Sequence, residues 1–159
     1  MKLKVYSWIP AVIIMVFIFI FSSQEANVSD ETSRSLASRV YDLYENVTNQ
    51  TVTEQEKEAT LLNINMIVRK VAHCMEYGVL SFFIAFHFFA LDLNGKKIFL
   101  FSVLISFLYA ITDEIHQLFV AGRSGQLKDV LIDTIGAIFG CIIFLLLLPK
   151  LQAVFKKYK

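Results

Sequence analysis

Three short patterns hold most of the ionisable chemistry in this chain. Arg69, His73 and Glu76 recur at i, i+4 and i+7 with Tyr77 beside them, so a helix would carry them as one stripe. Asp113, His116 and Gln117 form a second stripe, preceded on the same face by Ser102, Ser106 and Tyr109. Asp129, Asp133, Gly136 and Gly140 form a third. Its two glycines make a small-xxx-small pair, which lets helices approach closely, either within a bundle or between copies in a homo-oligomer. Arg123 lies between the second and third patterns, and Ser22-Ser23-Gln24 closes an apolar run near the N-terminus.

Three chemistries suit these residue types. Arg69, Lys70 and Arg123, beside Ser23, Gln24, Tyr77 and Gln117, can hold a phosphate or carboxylate through charge-assisted and neutral hydrogen bonds. With Asp129 and Asp133 they make up the expected ligand-binding set. His73-x-x-Glu76 and Asp113-x-x-His116 have the i, i+3 spacing from which facing helices build metal sites. The interspersed arginine and lysine would repel a cation, so no metal and no cofactor is expected. As a third possibility, His73, Glu76, Asp113 and His116 could supply the acid and base of a hydrolytic reaction. The competing view pairs Arg69 or Arg123 with Asp113 or Asp133 merely to fasten helices together. Each such buried pair has a desolvation cost that packing could avoid, and several acids, two histidines and several bases at one level exceed what fastening needs.

The elements that must position these groups are apolar. Of 159 residues, 56% are hydrophobic and 18% charged, below the roughly 25% charged residues of a soluble domain. A net charge of +1 gives no bulk electrostatic case for nucleic acid. Cys74 and Cys141 fall inside apolar helices at different depths, so free packed thiols are expected rather than a disulfide. The fold class is all-α, a polytopic membrane protein with four transmembrane helices in one domain. The spans are about 5–22, 67–91, 98–119 and 129–149, the last stopped by Pro149. The first is read as a span rather than a cleaved leader, because its apolar run is too long and no A-x-A-like site follows.

Between the first two spans, the loop 25–65 is polar. Leu36, Val40, Leu43 and Val47 mark one apolar helical face in it, and Thr53 with Glu56 has capping-box spacing, which predicts a second short amphipathic helix. These helices are expected to rest on the bilayer surface or the bundle mouth. Lys2, Lys4, Lys96, Lys97 and the tail lysines Lys150, Lys156, Lys157 and Lys159 share one side. The positive-inside rule makes that side cytoplasmic and leaves loop 25–65 and all three patterns extracytoplasmic. His87, deep among phenylalanines, is expected to be a locally hydrogen-bonded packing histidine. Glu114 points about 100° from Asp113 and would meet Arg123 or the interface.

Ser22-Ser23-Gln24, RKVAHCMEYGVL from Arg69 to Leu80, and DEIHQLFVAGRSGQLKDVLIDTIGAIFG from Asp113 to Gly140 together resemble the VanZ-like family of bacterial membrane proteins. The resemblance covers the four spans. It implies marked positions at Ser23, Gln24, His73, Glu76, Tyr77, Asp113, Glu114, His116, Gln117, Arg123, Asp129, Asp133 and Gly136. The family takes its name from a protein associated with low-level resistance to teicoplanin, a lipidated glycopeptide acting on wall precursors. The expectation is therefore a multi-pass protein of the bacterial cell membrane, both termini cytoplasmic, whose partners are membrane lipids and an amphiphilic or lipid-linked ligand at the outer leaflet. It would bind the head group of a lipid-linked cell-wall intermediate or lipoglycopeptide. The alternative is a membrane-embedded hydrolase or transferase acting on a lipid phosphate or ester.

Overall fold

A computed structural model describes residues 2–48 and 53–157, so Lys159 lies outside the described residues. Six helices follow one another among these residues: α1 Lys2–Tyr6, α2 Ile9–Ser22, α3 Ala26–Thr48, α4 Glu54–Ala90, α5 Gly95–Gln117 and α6 Leu127–Lys157. Four stretches are long and apolar enough to cross a membrane: Lys4–Ser22, Glu54–Ala90, Gly95–Gln117 and Leu127–Ala153. The chain is an all-helical, multi-pass membrane protein.

The first span is interrupted at Ser7 and Trp8, just before Pro10 in the first turn of α2. Pro10 has no N–H to give the Tyr6 carbonyl, so the helix restarts there. At that end of the bundle, Ser7 Oγ meets His87 Nδ1 at 2.9 Å, the local bond expected for this histidine. Lys4 pairs with Asp92 in the α4–α5 turn, where Asp92 takes a positive φ of 64° and Asn94 caps α5 by accepting from Lys97 N at 3.0 Å.

Loop 25–65 departs from the short helices expected of it. The capping box at Thr53 and Glu56 forms, with Glu56 Oε2 accepting from Thr53 N at 2.9 Å. It opens no separate short helix, however, because neither Gly nor Pro occurs between Glu54 and Tyr77. One helix of 37 residues results, about 55 Å long at ~1.5 Å per residue and far longer than the ~30 Å hydrocarbon layer. The 23 residues of α3 run antiparallel to its first half. Asp30 pairs with Arg69, Arg34 with Glu58, and Lys57 lies 5.4 Å above the Tyr41 ring. Ala37 and Tyr41 fill that seam, while the Leu36, Val40, Leu43 and Val47 face stays exposed.

Pro149 does not end the last helix, which continues to Lys157. Losing one backbone hydrogen bond is tolerated there because the flanking Leu146, Leu147, Lys150, Leu151 and Gln152 are strong helix formers. Helices α4 and α6 form the closest pair. A Cβ at Gly140 would lie 2.7 Å from the Cα of Gly78, and one at Gly136 2.9 Å from that of Cys74. The small-xxx-small pair is thus used inside the bundle. Both cysteines are free. The core divides into a layer around Ile18, Tyr77, Leu80 and Ala110 and one around Ala85, Ile98, Cys141 and Phe144.

Candidate functional site

The polar groups gather at the end of the bundle away from the Lys4–Asp92 contact, where α2 stops, α4 leaves the bundle and α5 turns into α6. The α5–α6 loop is held in three places. Glu114, buried beside the loop, accepts from Gln126 N at 2.7 Å through Oε2. Ala26 N donates to Ala121 O at 3.2 Å. Gly122 takes a positive φ of 74° and sits where a Cβ would come within 3.0 Å of the Ala26 Cβ, so glycine suits both its backbone and its closeness to α3. This loop carries Arg123 over the bundle mouth. There its Nε donates to the Gln24 backbone oxygen at 3.2 Å.

Arg123 makes no ion pair with a carboxylate among the described residues. Burial, and then the like charge of Arg69, make its guanidinium give up a proton more readily than usual. Arginine nevertheless stays charged in proteins, so the same crowding favours an anion between the two. Arg69 itself pairs with Asp30 of α3 and not with either of the deep aspartates. Lys70 Nζ lies 3.5 Å from Asp129 Oδ1, and His73 Nδ1 lies 3.7 Å from Glu76 Oε2.

Two cavities of about 260 Å³ each open here. The first is lined by Asp30, Lys70, Gln117, Ser124, Gln126, Asp129 and Asp133, the second by Gln24, Ser29, Ser33, Leu36 and Glu76. Arg69, His73 and Arg123 line both and form the wall between them. Beneath lies a layer of buried polar atoms. Gln117 Nε2 donates to Asp113 Oδ2 at 3.2 Å. Asp113 Oδ1, both carboxylate oxygens of Asp133 and the Tyr77 hydroxyl meet no hydrogen-bond partner among the described residues. A fully buried carboxylate with unmet acceptors is costly.

Of the residues singled out in the sequence, Gln24, Arg69, His73, Glu76, Gln117, Arg123, Asp129 and Asp133 line one or both cavities. Asp113 and Tyr77 lie in the buried layer. Ser23 and His116 stand apart from both cavities. Ser23 Oγ donates to Phe19 O at 2.6 Å and meets His116 Nε2 at 3.0 Å, and the His116 ring lies 4.5 Å from that of Phe19. His116 is thereby turned toward α2. Among the described residues, no three of His, Cys, Asp and Glu gather as metal ligands would, so the His73/Glu76 and Asp113/His116 pairs do not combine.

Asp30, Ser29 and Ser33 were not foreseen as wall residues. They sit 36 or more positions from Arg69 along the chain, with no periodic signal connecting the two. Glu114, expected to meet Arg123 or the interface, instead accepts from Gln126 N and is one of the three contacts that hold the Arg123 loop. The twelve positions between the two follow no helical period.

A family model described as VanZ/LLP1 matches residues 7–148. The chain belongs to the VanZ/LLP1 family. No curated protein and no solved structure matches it. The matched span takes in two of the membrane-crossing stretches whole, most of the first and the last, and every residue of the two cavities. The VanZ-like part of this chain therefore includes α3 together with the four spans.

Proposed function

We propose that this VanZ-like protein lies in the bacterial cell membrane with both termini cytoplasmic. There it binds the head group of a lipid-linked cell-wall intermediate or lipoglycopeptide at the outer leaflet, and so contributes to resistance to glycopeptides such as teicoplanin. The observation that carries this reading is Arg123, a guanidinium set between two cavities, beside Arg69, with a backbone carbonyl for a partner and no carboxylate ion pair among the described residues. Such a group offers a phosphate or carboxylate paired, directional donors. Asp133 and Asp113 support the same reading from below. Their open acceptor oxygens suit the hydroxyl and amide donors of a sugar–peptide head. Lys2, Lys4, Lys96 and Lys97 at the Lys4–Asp92 end support a cytoplasmic side there by the positive-inside rule.

The test is Arg123→Ala. Native mass spectrometry of the purified protein from mild detergent should show a co-purifying phosphate-bearing lipid in the wild type and lose it in the variant. Teicoplanin susceptibility of cells expressing the variant should return to that of cells without the protein. Unchanged lipid retention and unchanged susceptibility, with helical content preserved, would refute the reading.

A second reading is favoured by one contact. His73 Nδ1 stands 3.7 Å from Glu76 Oε2 in the wall of the second cavity, beyond hydrogen-bond reach yet close enough to shorten into the carboxylate–imidazole contact that orients a general base. A hydrolase or transferase built on that pair would turn over a lipid phosphate or ester, and His73→Ala would abolish the turnover. His116, tied to Ser23 and Phe19, is a poor candidate for the base.

A further inference from the structure

Below the charged wall, the seam between α2 and α4 opens as a groove of about 270 Å³, walled by Ile14, Phe17 and Ile18 on one side and Met75 and Val79 on the other. Phe21 and Glu76 stand at one end of it and also line the cavity that holds Arg69, His73 and Arg123. Those two shared residues make the groove and the charged cavity neighbours along the α2–α4 seam, with the guanidiniums on one side and hydrocarbon on the other. Phe17, Met75 and Val79 are exposed, so the groove lies open sideways to lipid and a chain can slide in without crossing water. A larger apolar groove of about 410 Å³ runs between α4 and α6 over Gly78, Gly136 and Gly140, but it has no lining residue in common with either charged cavity.

We infer that the α2–α4 groove receives the hydrocarbon of a single-chain anionic amphiphile, of the prenyl phosphate kind, whose head lies against Arg69 and Arg123. This rests on the head-group reading above and adds the class of ligand. The head must be anionic because the cavity at the top of the groove presents two guanidiniums, one of them without a carboxylate ion pair. A single chain suits the site because, of these two grooves among the described residues, just one adjoins a charged cavity. A two-chained lipid would have to drape its second tail across the Met75–Val79 ridge to reach the other. Lipid tails are as apolar as the groove wall, so burying the chain adds little net affinity. Charge at the top anchors the ligand, and the groove selects its shape.

The experiment is photo-crosslinking of the full chain in mild detergent with farnesyl phosphate carrying a diazirine near its chain end. Farnesol with the same label and a diacyl phosphatidic acid labelled in one tail serve as comparisons. With farnesyl phosphate, the crosslinked peptides should contain Ile14 to Ile18 and Met75 to Val79. Labelling should fall roughly ten-fold or more with farnesol and in Arg123→Ala, the expected effect of losing one charge-assisted contact. Label on Phe139 and Ile143, or spread evenly over all lipid-facing helices, would overturn the groove. Stronger groove labelling by the diacyl lipid would overturn the single-chain assignment. Groove labelling that persists undiminished in Arg123→Ala would overturn the head-group reading instead. Farnesyl phosphate retained in native spectra, lost in Arg123→Ala and never crosslinked to the groove, would leave that reading standing and remove this one.

Discussion

Placing a methyl group on Gly136 or Gly140 should separate the two helices that hold most of the site. A Cβ at Gly136 would sit 2.7 Å from the carbonyl carbon of Cys74 and inside contact distance of its oxygen; one at Gly140 would sit 2.5 Å from the carbonyl carbon of Gly78. Ordinary contact begins at 3.4 Å, so α4 and α6 would have to part by roughly an ångström, because both obstacles are backbone and no rotamer change relieves them. Overpacking of this kind costs about 1–3 kcal/mol. At 2 kcal/mol that is roughly a thirty-fold shift in the folding equilibrium.

The glycines provide their own controls. At Gly78 the nearest atom to a new Cβ is the Gly136 oxygen at 3.2 Å, and at Gly95 it is a Leu145 side-chain carbon at 3.8 Å. Gly78→Ala should thus cost less than either α6 variant. Gly95→Ala should be neutral or stabilising by about 0.4–1 kcal/mol, since alanine restricts the unfolded chain. Equilibrium unfolding in mixed micelles, followed by circular dichroism, would give the order Gly95→Ala, Gly78→Ala, then Gly136→Ala and Gly140→Ala. If the last two unfold within about 0.5 kcal/mol of wild type, as surface changes do, the close α4–α6 approach is wrong. So is the meeting of His73 and Asp133 in the lining of the first cavity that depends on it.

Two further outcomes follow from local contacts. Glu114→Ala removes the acceptor for Gln126 N. It should cost about 1.5–3 kcal/mol, the range for a hydrogen bond to a charged group, and should raise amide exchange across residues 120–126 more than elsewhere. Thr53→Ala removes the hydroxyl that accepts from Glu56 N and leaves only the backbone N–H bond to Glu56 Oε2. It should cost about 1 kcal/mol, seen as fraying of the first turn of α4 by hydrogen exchange, with binding at the cavities unchanged because Thr53 lies far from them along the helix.

Much of the site could be read along the chain because its stripes are local. Arg69, His73 and Glu76 share a helix face by spacing alone, and they face the cavities. Where the reading relied on a local stop signal it went astray. Thr53 and Glu56 do cap a helix, but nothing downstream of them ends it before the membrane, so the short amphipathic helix became the outer half of α4. Pro149 weakens a helix without ending it when its neighbours favour the helix strongly. The competing view, which paired Arg69 with Asp113 or Asp133, fails for a different reason. Asp113 and Asp133 lie nearer in predicted depth, yet α3 folds back along α4 and brings Asp30 to Arg69.

The amino-acid sequence by itself determined that this protein has four membrane-crossing stretches and carries three stripes of ionisable residues, because apolar run length and helical period are local properties. It also carried the VanZ-like motifs that place the chain in its family. Only the tertiary structure decided which of those residues meet. It turned His116 toward Ser23, left Arg123 without an ion-paired carboxylate between two cavities, and buried Asp133 with its acceptors open. Those outcomes depend on how α2, α3, α4 and the α5–α6 loop close over one another, and contacts between residues dozens of positions apart leave no periodic trace in a single sequence.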